Sequence, residues 1–225
     1  MKSMAIGNIK GNGVLKTEKR ETGSFTGLAA GGPMNVEISY GTSSSLTIEG
    51  DENILPYIET FVKDGVLKIK VKDFNTINPK LKLKVSVSMT TISSISQSGS
   101  GEISGSGSFT NSSTTNFAMS GSGRIKLSFS KFSGADISMS GSGNIELKGD
   151  INGDLETSQS GSGNINCVNA PCDNLNAKIS GSGTVRANVS KSIDARISGS
   201  GTIYYIGSPT NISKHVAGSG RIEKI

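Results

Sequence analysis

The chain has 225 residues, 30 of them glycine; tryptophan is absent, aromatic residues make up only 5% and the formal net charge is +5. A chain so poor in rings cannot build a conventional aromatic core, and with no run of five like charges and little to stack on bases it is not expected to bind nucleic acid. Polar residues interrupt every apolar stretch well short of the roughly 18 residues that a transmembrane helix needs, so no transmembrane segment is expected.

In chain order, the first segment, Met1–Lys10, carries two lysines and no apolar stretch of the kind found in a secretory leader. Residues 35–40, 45–49, 66–71 and 81–88 alternate apolar and polar side chains and predict strands. Asp51-Glu52-Asn53-Ile54-Leu55-Pro56 predicts a tight turn or one helical turn after a strand. Lys63-Asp64-Gly65-Val66 carries an Asp-Gly hairpin signal. Residues 1–95 are therefore read as an irregular β-rich cap region, continuous with the remainder of the chain as one domain.

Residues 96–225 are a repeat region. Ser-Gly-Ser-Gly occurs at 98–101, 120–123, 140–143, 160–163, 180–183 and 198–201, with a variant, Ala217-Gly218-Ser219-Gly220. The first glycines are Gly99, Gly121, Gly141, Gly161, Gly181, Gly199 and Gly218, separated by 22, 20, 20, 20, 18 and 19 residues. Flexible linkers have no reason to recur at a fixed period, so these are structural turns. Two residues beyond each motif stands a β-branched residue, as at Ile125, Ile145, Ile165, Val185 and Ile203. Apolar residues also alternate on the approach, as at Ala135, Ile137 and Met139. Strand, glycine corner, strand is the unit, and it can bury its apolar face only by stacking on its neighbours.

The fold class this implies is all-β, a right-handed parallel β-helix (solenoid) with about 20 residues per coil in the C-terminal half. Parallel stacking accounts for identical turns at identical phase; a β-sandwich of hairpins is the rival and would alternate two kinds of turn. The glycines supply positive φ or clearance at the corner. Gly207, outside the motif, reads as a glycine without that constraint. Calcium in these turns is not expected, because the residues after the motif are Glu102, Arg124, Asn144, Asn164, Thr184, Thr202 and Arg221 rather than a column of aspartates.

Candidate chemistry is sparse. Cys167 and Cys172 bracket Val168–Pro171; two thiols cannot complete a zinc site, and they read as free thiols or as a loop disulfide. No metal ligand set, cofactor motif or catalytic centre is visible. One outward column brings Asp136 and Glu156 to neighbouring coils and continues to Asp194. Two carboxyls at that separation are what a retaining glycosidase uses. The adjacent outward column holds Lys178, Arg196 and His215, so these acids are expected to face basic neighbours in a solvated ladder, with Asp136, Glu156, Lys178, Asp194 and Arg196 the only binding candidates.

Ser-Gly-Ser-Gly-x-Ile, the opening Lys10-Gly11-Asn12-Gly13 with Glu18-Lys19-Arg20 and Gly23-Ser24-Phe25, and Asp51–Leu55 followed by Gly65-Val66-Leu67-Lys68-Ile69 together resemble the putative auto-transporter adhesin head (GIN) domains of Bacteroidetes. The resemblance covers nearly the whole chain. It implies an exported protein of the cell surface or periplasm with a β-helical fold; its members usually begin with a leader, which this sequence does not show, and no cofactor is expected from the residues. The function expected is a non-catalytic adhesin or binding module for a glycan or protein ligand at the cell surface. The alternatives are a carbohydrate-active enzyme on a β-helix and a purely structural spacer.

Overall fold

A computed structural model describes residues 7–225; the first six residues, and with them most of the Met1–Lys10 segment, lie outside the described residues. In chain order the strands are β1 (Gly7–Lys10), β2 (Leu15–Arg20), β3 (Gly27–Gly31), β4 (Asn35–Tyr40), β5 (Ser45–Asp51), β6 (Ile58–Lys63), β7 (Val66–Val71), β8 (Asn75–Asn78), β9 (Lys84–Met89), β10 (Ser94–Gly99) and β11 (Glu102–Ser106). They continue as β12 (Thr110–Gly121), β13 (Arg124–Gly141), β14 (Asn144–Ile151), β15 (Asp154–Gly161), β16 (Asn164–Gly181), β17 (Thr184–Gly199), β18 (Thr202–Gly207), β19 (Asn211–Gly218) and β20 (Arg221–Lys224). One 3-10 turn, Leu55–Tyr57, follows β5 where the sequence predicts a tight turn.

From β10 onward every pairing along the chain is parallel, and the repeat coils into a β-solenoid. Each coil has an entry face, whose strand runs into the glycine corner, and an exit face, whose strand leaves it. Ile103, Ile125, Ile145, Ile165, Val185 and Ile203 are paired rung to rung on the exit face and are at most 1% exposed. On the entry face Phe117, Ile137, Thr157, Ala177 and Ala195 form the facing column, shrinking toward the C-terminus. The core is thus two facing ladders of like residues, and each buried isoleucine contributes about 1.5–3 kcal/mol of transfer free energy.

The seven first glycines of the motifs all have φ between 99° and 125°. Their own Cβ would strike the backbone of the preceding corner, so each corner lies directly on the last one. The second glycine clears space of another kind. A Cβ on Gly163 would run into Met139 Sδ, and one on Gly201 into Ile179, so the inward residue before each motif fills the hollow beneath the next corner. Gly207 differs from its reading as an unconstrained glycine. It has φ +99, and a Cβ there would collide with the Val189 carbonyl, because it occupies the opposite corner of its coil.

That opposite corner absorbs the variation in repeat length. The register slips between Ser128 and Lys131, and between Cys167 and Cys172. Five of the eleven aromatic rings make ring–ring contacts near the middle of the chain. Phe129 and Phe132 stack at 3.8 Å, Phe117 lies beside Phe132, and Tyr40 meets Phe109 edge-on. Rings are too few for a conventional core, and these five form one pair and one group of three within an aliphatic one.

The N-terminal half carries the stack further. β3 and β4 pair in parallel with β10 and β11, with Gly31-Gly32-Pro33-Met34 at the place of the motif, and β7 and β9 pair in parallel outside them. The chain therefore visits this end out of order: β9 inserts between β4 and β5, which it meets antiparallel. β6 and β7 form the hairpin signalled by Asp64-Gly65, with φ 52 and 72 at the turn. Antiparallel β2 and β6 end the two faces. Arg20 joins them, donating to the carbonyls of Ile58 and Leu55. Asp51, fully buried, accepts from the backbone N–H groups of Gly13, Lys80 and Leu81 at 2.6, 2.9 and 2.9 Å.

The C-terminal end is open, with Ile212 and Val216 of β19 exposed at the end of their columns. Lys214 is the last member of the shrinking entry-face column, paired with Ala195. Its ammonium lies 5.4 Å from the centre of the Tyr205 ring and donates to the Ile222 carbonyl. An inward lysine on an edge strand opposes further strand addition.

Candidate functional site

The sequence-predicted residues all fall on the outward side of the entry face. One column runs Asn116, Asp136, Glu156, Asn176, Asp194, Ser213. The next, two residues further along each strand, runs Ala118, Ser138, Ser158, Lys178, Arg196, His215. A third is the first serine of each motif, from Ser120 to Ser198. Rungs in such a sheet are about 4.8 Å apart and alternate residues about 6.6 Å, so these columns make a lattice set by the backbone.

Asp136 and Glu156 are neighbours in register. The expectation that the acids face basic residues holds only for Asp194, whose Oδ2 lies 2.8 Å from Arg196 Nη2 on its own strand. The physical reason is register. The neighbours of Asp136 and Glu156 in the next column are Ser138 and Ser158, because the basic residues occupy only the later rungs. Neither acid takes part in an ion pair among the described residues. Asp136 is half-buried and Glu156 exposed, and no aromatic ring flanks them to exclude water.

Hydrogen-bonded ladders run along both faces, that of Asn174 beside these columns and that of Asn164 on the exit face. Asn174 donates to Asp154 at 2.8 Å and accepts from Ser192 at 2.7 Å, and Asn164 donates to Asn144 at 3.0 Å. Asn176 Oδ1 and Asp194 Oδ1 are shielded without a donor. Asp173 sits at the opposite corner, where hydrogen bonds from Lys191 and Ser190 hold its carboxyl below the usual range.

Cys167 and Cys172 are free and buried. Burial pushes both thiols up, Cys172 to about 12, with the charges of Asp173 and Asp154 adding to it. Neither is a thiolate nucleophile near neutral pH. Among the described residues no group of three or more His, Cys, Asp or Glu side chains could hold a metal ion, and no helix is long and apolar enough to cross a membrane. Sequence reasoning missed the ladder of Asp154, Asn174 and Ser192, although its period is that of the motif.

A model of the family described as "Putative auto-transporter adhesin, head GIN domain" matches residues 24–209. Among solved structures, a putative adhesin from Bacteroides fragilis is 28% identical with a TM-score of 0.86, covering 96% of this chain and 100% of that one. A protein of Parabacteroides distasonis described as a putative lipid binding protein is 24% identical with a TM-score of 0.72, covering 97% and 99%. A putative adhesin from Parabacteroides merdae is 21% identical with a TM-score of 0.62, covering 97% and 99%; these last two show a shared fold alone. No curated protein matches the chain.

Proposed function

Given that the chain belongs to the family of auto-transporter adhesin head GIN domains, we propose that it is a non-catalytic binding module of the cell surface or periplasm, and that its contact surface is the outward side of the entry face. The observation that carries this reading is the unbroken register of three columns across six rungs, polar at every position but Ala118 and Ala217. A lattice held at backbone spacing suits an extended ligand, because the sheet need not be reordered when it binds. Asp136, Glu156, Lys178, Asp194 and Arg196 all belong to this lattice. The glycine corners serve it from behind, by holding successive strands at one phase.

Labelled protein applied to whole cells and to a glycan array tests the proposal. Retention should be lost when Ser140 and Ser160 on the entry face are replaced by arginine. It should persist when Lys126, on the exit face, is replaced by glutamate. A spacer would be retained by neither cells nor glycans. Release of reducing sugar from polysaccharide, abolished by Asp136→Asn with Glu156→Gln, would replace this reading with a catalytic one.

A further inference from the structure

We infer that Lys178, Arg196 and His215 form a binding site for an anionic saccharide, a sugar chain bearing carboxylate or sulfate groups; the inference rests on the entry face being the contact surface. The three residues are paired rung to rung, Lys178 with Arg196 and Arg196 with His215, and all three are exposed. Lys178 and Arg196 are like charges directly opposite one another across strands, a pairing that destabilises a sheet. Asp194 offsets part of this at Arg196, through a contact of 2.8 Å. Lys178 and His215 have no carboxylate partner among the described residues. An anionic group lying over Lys178 and Arg196 relieves the repulsion and gains charge-assisted hydrogen bonds from both.

The columns on either side select the rest of the ligand. Beyond the cations stands the serine column, whose hydroxyls donate or accept. On the other side stand Asn176 and Asp194, an amide and a carboxylate. Sugar hydroxyls can donate to these, whereas a second anion is repelled. A nucleic acid strand, with a phosphate at every step and bases that need rings to stack on, fits this surface poorly. A sugar unit carrying one acid group and several hydroxyls fits both sides. The rung spacing of about 4.8 Å is close to the length of one ring in an extended glycan, so successive sugars meet successive rungs.

The full chain is tested against immobilised dextran sulfate and polygalacturonate at low and moderate salt, with neutral dextran, single-stranded DNA and phosphatidylglycerol vesicles as comparison probes. Wild type should bind one or both acidic saccharides, more weakly as salt screens the contact. Lys178→Ala with Arg196→Ala should weaken binding by about tenfold or more, as expected when two charge-assisted contacts are lost. Lys178→Arg with Arg196→Lys should retain most of it, and Lys126→Ala should leave it unchanged; melting curves check that each variant is folded. Equal weakening by Lys126→Ala, or equally tight binding of DNA or vesicles, would mean general attraction to a basic protein and overturn the inference. Retention of wild type on cells but on neither acidic saccharide also overturns it, while leaving the entry face as contact surface intact. Cell binding indifferent to the Ser140 and Ser160 arginine variants removes that broader reading instead.

Discussion

A Cβ added to Gly161 would lie 2.5 Å from the carbonyl oxygen of Gly141, its counterpart one coil earlier. Gly161 also has φ +110, a region that side-chain-bearing residues rarely adopt. Gly161→Val therefore combines backbone strain with a collision, and should cost about 2–5 kcal/mol. Gly23, with nothing within 4 Å of the Cβ position, provides the comparison, and Gly23→Val should change stability by less than about 0.5 kcal/mol. Gly207→Val should fall with Gly161, since it too has positive φ and meets backbone. Thermal melts of the three variants decide it: equal losses at Gly161 and Gly23 would mean that the corners are only connectors.

Ile165 is fully buried between Ile145 and Val185 on adjacent rungs. Ile165→Ala should open a cavity that the fixed rungs cannot close, at about 2–5 kcal/mol by urea denaturation. A cost below about 0.5 kcal/mol would be that of a surface site and would contradict this packing.

Asp51 gives the cap a pH dependence. Burial acts to raise its carboxyl, but three backbone N–H donors and the nearby Lys80 charge outweigh it, leaving the group below its ordinary value of 3.8. The unfolded state therefore takes up the proton first as pH falls. The stabilisation is present in full above the unfolded value and is lost as pH drops through the folded one. Asp51→Asn removes the charge and one of the two accepting oxygens and should cost about 1–3 kcal/mol at pH 7, because at least one of the three backbone donors then meets an NH2 group instead of an acceptor. Urea midpoints of wild type and variant should converge as pH is lowered below 4; parallel curves would contradict the assignment.

Asp136→Asn with Glu156→Gln should be nearly silent. Both acids lie toward solvent and neither is in an ion pair, so stability should change by less than about 0.5 kcal/mol. Asn and Gln are isosteric and still hydrogen-bond, so the lattice keeps its spacing and binding to cells should largely persist. Loss of a polysaccharide-cleaving activity in this double variant would reverse the reading.

Cys167 and Cys172 should resist iodoacetamide in the folded protein at pH 8, since burial both blocks access and disfavours the thiolate. In urea both should react. Rapid labelling of either thiol in the native state would show that the corner they bracket opens.

The sequence by itself determined the coil. Because one residue in two faces inward and the glycine corners recur at nearly constant phase, the columns from Ile103 to Ile203 and from Asp136 to Asp194 are legible from spacing, and the register agrees. The hairpin at Asp64-Gly65 is legible for the same local reason, as only certain residues tolerate that turn. The tertiary structure decided the non-local relationships. Gly31-Gly32-Pro33-Met34 lacks the motif yet supplies a corner in line with Ser98–Gly101, and only the pairing of β3 with β10 reveals it. The order in which β9, β4 and β5 lie side by side is not the order of the chain, because hydrogen bonds between strands carry no record of sequence distance. Which acid meets which cation, by contrast, is settled by neighbours on the same strand and so was open to the sequence. Arg196 reaches Asp194 two residues away, while Asp136 has only Ser138 at that position, a difference that columns taken without their rungs do not reveal.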